Sequence, residues 1–279
     1  MSQTLISVEK LPGCGALIDG VDLARMDDRT AEAVRTALFE HGVIFFRGQT
    51  LSRQDHLDLA ARFAPIDINR FFPADPEWPA IAKVEKQPDQ TSNIGGGWHT
   101  DHSYDAEPAL GSILVARDLP PSGGDTLFAD MYGAYEALTP ELKARVKGLR
   151  AVHSSAHIFG EGGAYAKGDQ SALGGARETP ETLHPVVIRH PGSGKPALYV
   201  NPAFTVRFEG MSKEESQGLL FELYAYAIDQ SRVHRFAWQP GSVAIWDNRA
   251  TWHYALNDYH GHYRLMHRVT MAGVALEAA

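Results

Sequence analysis

Six apolar runs, rich in β-branched and aromatic residues, limit what this chain can fold into. They are GSILVARDL, HPVVIRHP, ALYVNPAF, VHRFAWQPG, SVAIWDN and HYRLMHRVTMAG, all within residues 111–273. Each has the length and flanking turn residues of a strand. Helices do not alternate with them strictly, which argues against a doubly wound parallel sheet. A β-rich α+β chain fits better, with a jelly-roll or other double-sheet core flanked by helices. Residues 28–41, DRTAEAVRTALFEH, have helical spacing that lets Ala33, Leu38 and Phe39 share a face. Gly42 ends that helix, and VIFFRG follows as a buried strand. Ser52 can cap a second helix through RQDHLDLAARF, and Pro140 suits the first turn of a third that starts at Thr139. Ser212-x-x-Glu215 is a capping box for a fourth, running to about residue 230.

No internal repeat or low-complexity linker interrupts the 279 residues, so 1–279 reads as one domain. Residues 154–183 stand apart, Gly- and Ala-rich without a sustained period. A loop of this length inside a compact domain is either a lid over a site or a surface excursion. The net charge of −8 and the lack of a basic run argue against a nucleic-acid partner. No apolar segment is long enough to span a bilayer, and MSQTLISVEK has no signal-peptide pattern. The single cysteine, Cys14, permits no internal disulfide and reads as small filler near a turn. A cytoplasmic protein, assembled as a homo-oligomer (dimer or tetramer), is expected.

The stretch GGGWHTDHSY raises the possibility of a metal site at His99 and Asp101. On an extended strand, residues two apart leave the same face, so an imidazole and a carboxylate can converge on one cation. The pair alone is weak, because about one His-x-Asp is expected by chance in this composition. A second copy, His56–Asp58, lies on the expected helix through RQDHLDLAARF, where the two side chains diverge. The distal half adds His253 at the end of an apolar strand, turn-forming residues LNDYHG, and a strand carrying Arg264. A hairpin folding near Asp258–Gly261 would lay Arg264 beside His253. Along that strand Arg264, Met266 and Arg268 face one way, and Leu265, His267 and Val269 the other. Two inward arginines beside a histidine are costly unless anions meet them, which predicts two anionic groups in a pocket. Two histidines and a carboxylate on one side of a cation suit Fe(II) with open positions. An arginine nearby can grip the far carboxylate of a diacid, and Thr126 in GGDTLF can add a hydroxyl. Taken singly, each of these residues also has an ordinary structural reading in a packed core.

WHTDHSY, LPPSGGDTLFADMYGAYEALTPELK, GLRAVHS, HPVV, WDNRATWHYA and YRLMHRVT occur in this order. The chain thereby resembles the taurine dioxygenase family, the TauD/TfdA-type Fe(II)/2-oxoglutarate-dependent oxygenases, from GVDL near residue 20 to about residue 273. The resemblance implies a double-stranded β-helix, a jelly-roll variant. It makes His99, Asp101 and His253 the iron ligands, with 2-oxoglutarate and O2 as co-substrates. Arg264 and Thr126 would bind the distal carboxylate of 2-oxoglutarate. Arg268 would meet the acidic group of a small anionic prime substrate (carboxylate, sulfonate or sulfate), and Phe159 and Phe204 would line its pocket. The implied reaction is oxidation of a C–H bond of that substrate with release of CO2 and succinate.

Three departures argue against taurine itself. Asn69 stands where the taurine enzyme has a clamp histidine, Gly95 stands where it has an asparagine, and His102 follows Asp101 in place of a small aliphatic residue. His102 is a candidate substrate contact; on a strand it would point away from the ligands, and hydrogen-bonding a loop is its alternative role. Two rival functions share these residues. One is a Zn-dependent hydrolase, for which no H-E-x-x-H pattern or well-placed Glu supplies a base. The other is a non-catalytic small-molecule binding protein.

Overall fold

The computed structural model describes residues 6–73, 75–169, 171–175 and 178–279. Its larger sheet has eight strands. In spatial order they are Ser7–Lys10, Ala16–Asp19, Val43–Phe46, Val243–Asp247, Gly111–Asp118, Arg264–Met271 and Ile66–Asp67, with Ala82–Lys86 also paired to Arg264–Met271. A smaller sheet runs Val233–Phe236, Thr126–Asp130, Thr251–Ala255. The central strands of the larger sheet are apolar on both faces because both faces are covered. Phe45, Leu114, Ala116, Ala244, Trp246 and Met266 point inward, toward Phe128, Phe236 and Trp238 of the smaller sheet and its margin. The alternate residues Ile44, Ile113, Val115, Ile245 and Val269 point outward, beneath the helices Asp28–His41 and Arg53–Ala61. The outer side of the smaller sheet, through Ala129 and Trp252, packs with the helices Met131–Glu136, Pro140–Val146 and Lys213–Ala227. This is the double-sheet jelly-roll core with flanking helices. Among the described residues, no helix is long and apolar enough to cross a membrane.

Local chemistry sets the helix ends where the sequence places them. The Asp27 carboxylate accepts the Thr30 N–H, and Gly42 closes the helix at a φ of 74°. Ser52 and Ser212 each form a full capping box. The buried stripe of the first helix is Ala31, Val34, Ala37 and Leu38, while Ala33 and Phe39 are only partly buried. The short helix Met131–Glu136 escapes a periodicity reading; the Asp130 side chain starts it by accepting the Tyr132 N–H. Of ALYVNPAF only Ala197 and Leu198 are in a strand, Pro196–Leu198. Asn201 turns the chain there: its side-chain oxygen accepts the Phe204 N–H, and its own N–H goes to Thr205 Oγ1.

The expected hairpin between His253 and Arg264 does not form. Thr251–Ala255 pairs with Thr126–Asp130 in the smaller sheet, whereas Arg264–Met271 pairs with Gly111–Asp118 in the larger. Residues 256–263 are long enough to cross between sheets, and both strands find better-matched partners far away in sequence. The segment 154–183 holds the short helix Ala156–Phe159 and the 3-10 turns Ala164–Ala166 and Ser171–Leu173. Its last residues belong to the strand Thr182–Pro185, paired with Arg150–His153. Residues 170, 176 and 177 of this segment lie outside the described residues.

Candidate metal centre and its cavity

His99 and Asp101 do not share a strand. His99 makes an isolated bridge to His253, each donating its N–H to the other's carbonyl, at 3.1 and 2.8 Å. The chain then turns, with His102 at a φ of 60°, and this turn brings Asp101 beneath both imidazoles. His99 Nε2 lies 3.7 Å from Asp101 Oδ1, and His253 Nε2 lies 3.6 Å from Asp101 Oδ2. One ligand atom from each residue falls within 4.8 Å of the others. His99 Nδ1–H donates to the Gly97 carbonyl at 2.7 Å, which fixes the tautomer and leaves Nε2 with its lone pair. Burial, then His99 and Arg268, hold His253 well below the usual histidine range against the pull of Asp101, so its imidazole is neutral. Burial opposes ionisation of Asp101, but Arg268 first, then His253 and His99, outweigh it and hold the carboxyl well below its usual range. Two imidazoles and an ionised carboxylate, close enough to touch one cation, form the donor set of a facial iron site.

Gly95 enters this loop at a φ of 78°, and a Cβ there would stand 3.2 Å from His99 Cε1. Its carbonyl accepts the Ala255 N–H at 2.9 Å, which pins the loop to the strand that carries His253. The ring centroids of Trp246 and Phe128 lie 4.8 and 6.2 Å from that of His253.

The three residues open into a cavity of about 560 Å³ that also takes in Thr126, Arg264, Arg268 and Asn69. Arg264 is 4% exposed, and its Nε and Nη2 have no hydrogen-bond partner among the described residues. Those two nitrogens form one straight edge of the guanidinium, the geometry that takes a carboxylate with two parallel hydrogen bonds. Thr126 Oγ1 accepts the Trp238 indole N–H at 3.0 Å, which leaves its own proton for another acceptor. An orphaned, buried fork of this kind fits a dicarboxylate co-substrate.

The opposite wall is aromatic around a second cation. Arg268 Nη1 donates to Asp101 Oδ2 at 3.2 Å, and its Nε is buried without a partner among the described residues. The Phe72 ring lies 4.7 Å from its guanidinium carbon. Phe159 stacks on Phe71 at 4.1 Å, and Tyr104 meets Phe204 edge-on at 4.8 Å. Asn69 lines the cavity, with its oxygen accepting the Phe71 N–H and its amide donating to His102 Nε2 at 3.2 Å.

His102 departs from the substrate contact expected of it. It is 2% exposed, does not line the cavity, and donates from Nδ1 to Asp105 Oδ2 at 2.9 Å. The left-handed turn at His102 sends its ring under Asn69, so it braces that residue. The His56–Asp58 pair takes no part either: His56 is buried and its Nε2 meets the Ile113 carbonyl at 3.1 Å. The sequence reading passed over Phe72, Tyr104, Ile158, Tyr165 and Leu173, which also line the cavity. Tyr104 sat inside the ligand motif, and the last three fall in the 154–183 segment.

Residues 7–270 match the family described as taurine catabolism dioxygenase TauD, TfdA family. An alkylsulfatase of Acinetobacter baylyi is 36% identical over 278 residues, covering 96% of this chain and 85% of that protein. A (S)-phenoxypropionate/alpha-ketoglutarate-dioxygenase of Sphingobium herbicidovorans is 33% identical, covering 86% of this chain and 85% of its own. The crystal structure of a taurine dioxygenase from Burkholderia xenovorans superposes with a TM-score of 0.83 at 33% identity, over 98% of this chain and 93% of that one. The fold, the donor set and these likenesses agree: the chain belongs to the TauD/TfdA family and is a 2-oxoglutarate-dependent dioxygenase, an oxidoreductase of a family that works with Fe(II), 2-oxoglutarate and O2.

Proposed function

We propose that this dioxygenase oxidises a C–H bond of a small organic anion carrying a carboxylate, sulfonate or sulfate, and converts 2-oxoglutarate to succinate and CO2. One observation carries the reading: a three-residue donor set and two buried, under-partnered guanidinium groups open into the same cavity. His99, Asp101 and His253 would hold the iron, which when bound supplies the activation of oxygen. Arg264 and Thr126 seat the distal carboxylate of 2-oxoglutarate. Arg268 and Asn69 receive the anionic head of the prime substrate, and Arg268 keeps Asp101 ionised at the same time. Phe159 and Phe204 take the apolar remainder, which suits an alkyl or aryl group better than a bare polar chain. The segment 154–183 acts as a lid that excludes water, within a single domain spanning 1–279.

Asp101 is the single carboxylate among the described residues that line the cavity, and no glutamate does so. A zinc hydrolase would have no spare base there, which favours the oxygenase. The test is a panel of alkyl sulfates, sulfonates and aryloxyalkanoates, offered with Fe(II) and 2-oxoglutarate and read as succinate formed per substrate consumed. Stoichiometric succinate with at least one of these anions is expected. Equal succinate with and without every anion tested, or turnover only of uncharged compounds, would overturn the substrate assignment.

A further inference from the structure

The Arg264 end of the cavity is backed by two residues that do not line it. Lys86, on Ala82–Lys86, stands directly opposite Arg264 in the antiparallel pair, so both side chains leave one face of the sheet. Lys86 is 1% exposed, and its Nζ has no hydrogen-bond partner among the described residues. An ammonium so placed is costly to bury, and the compensation it has among the described residues is the Tyr259 ring, whose centre is 4.5 Å away. Tyr259 is 4% exposed and sits in the 256–263 crossing between the two sheets. The Arg264 guanidinium carbon lies 5.9 Å from the same ring. The side chains of Arg264 and Asn93 neighbour the Tyr259 hydroxyl. Asn93 uses its amide N–H groups on the Ala255 and Leu256 carbonyls, at 3.0 and 3.3 Å. The guanidinium carries donors alone, so toward the phenol oxygen it can only donate. Nε and Nη2 of Arg264 are buried without a partner among the described residues, which leaves Nη1 as the nitrogen to meet the hydroxyl. The straight Nε–Nη2 edge is left facing the cavity.

We propose that Tyr259 and Lys86 are positioning residues for 2-oxoglutarate. Lys86 fixes the Tyr259 ring, and the Tyr259 hydroxyl holds the far corner of Arg264, which presents its Nε–Nη2 edge to the distal carboxylate. The inference rests on the reading of Arg264 as the 2-oxoglutarate arginine. A buried, unpaired ammonium retained for this purpose is a cost in stability, so its removal should strengthen the ligand-free fold while weakening the ligand.

The experiment uses Tyr259→Phe, Lys86→Met and Arg264→Gln in the full chain. Binding of 2-oxoglutarate to Mn(II)-loaded protein is measured by calorimetry without turnover. 2-Oxobutyrate, which lacks the second carboxylate, is titrated alongside, and melting temperatures are recorded without metal or ligand. Tyr259→Phe and Lys86→Met should each weaken 2-oxoglutarate about tenfold, the size of a hydrogen bond to a charged group, and leave 2-oxobutyrate unchanged. Lys86→Met should also raise the ligand-free melting temperature. In turnover, the KM for 2-oxoglutarate should rise while kcat at saturation and the KM of the prime substrate stay within about twofold. Tyr259→Phe binding 2-oxoglutarate within twofold of the native chain, or losing both oxo acids equally, would overturn the proposal. Lys86→Met that melts lower and binds normally would make Lys86 merely structural and overturn its part. Arg264→Gln separates the two failures: if it binds 2-oxoglutarate like the native chain, the assignment of Arg264 itself is wrong.

Discussion

His99 and His253 are joined twice, by reciprocal backbone hydrogen bonds of 3.1 and 2.8 Å and by imidazole rings whose centres lie 4.0 Å apart. The backbone pairing fixes the spacing of the two ligand side chains before any cation arrives. That is preorganisation in a direct sense, since a metal need order little on binding.

Removing one ring should therefore abolish tight binding while sparing the fold. His253→Ala is expected to lower Fe(II) or Mn(II) affinity by more than about 100-fold, about 2.8 kcal/mol, with an unchanged far-ultraviolet circular dichroism spectrum. Titration calorimetry with the metal measures it, and near-native affinity would take His253 out of the donor set.

Arg268 faces both Asp101 and the substrate wall, so its loss should divide cleanly in kinetics. Arg268→Gln is expected to raise the KM of the prime substrate about 10- to 100-fold, since hydrogen bonds to a charged group contribute about 1.5–3 kcal/mol. Binding of 2-oxoglutarate should change little. An equal loss for both substrates would mean that Arg268 acts mainly by holding Asp101.

Gly95→Ala tests the glycine loop. Its left-handed backbone penalises any other residue by about 1–2 kcal/mol, and the added methyl would press on His99. Reduced thermal stability together with weaker metal binding is expected. A variant that melts lower but binds metal normally would show that the loop does not control the His99 ring.

The Asp169 carboxylate accepts hydrogen bonds from the Thr91 N–H at 2.6 Å, the Ser92 N–H at 3.0 Å and the Thr91 hydroxyl at 3.0 Å. It latches the 154–183 segment to the loop that leads to His99. Asp169→Ala should speed limited proteolysis within that segment and raise the KM of the prime substrate several-fold. Unchanged cleavage kinetics would argue against a latch.

Part of the acid sensitivity should come from outside the cavity. Burial first, then Arg117, Arg53 and Lys83, push His267 down to about 4, and burial pushes His56 down to about 3. His267 Nδ1 accepts the Arg117 Nε–H at 3.1 Å, a bond that a protonated ring cannot make. The unfolded imidazoles take protons near pH 6.5 and the folded ones do not, so the unfolded state binds more protons below that pH. Stability is full above about pH 6.5 and falls as the pH drops toward 4. Urea midpoints at pH 7 and 4.5 should show a smaller drop for His267→Gln than for the native chain; equal drops would assign the sensitivity elsewhere.

The central strands of the larger sheet, Val43–Phe46, Gly111–Asp118, Val243–Asp247 and Arg264–Met271, were legible because they carry apolar residues on both faces between turn signals, and the capped helices because Ser52, Thr139 and Ser212 announce them. The partnership of His253 and Arg264 was not. Short range in sequence suggested a hairpin, but strand pairing is decided by the whole sheet, and eight intervening residues suffice to change sheets. The His-x-Asp pairing was legible as a motif and misread as geometry, since a turn rather than a strand brings Asp101 round. His102 carried no sequence signal of its left-handed backbone, which is uncommon outside glycine. The Tyr259–Lys86 brace was invisible as well, because a lysine in an alternating strand reads as solvent-facing.

His99, His253 and Arg264 sit at or against the sheet framework, whereas the walls facing Arg268 come largely from connecting segments: 69–72, 102–105, 156–169, 171–175 and 201–204. Such segments can be rewritten by mutation without disturbing strand register. Inheritance of the oxidising apparatus is thus uncoupled from inheritance of the molecule it acts upon, and relatives about one-third identical can carry names as different as alkylsulfatase and phenoxypropionate dioxygenase. For this lineage, ancestry foretells the reaction far better than it foretells the diet.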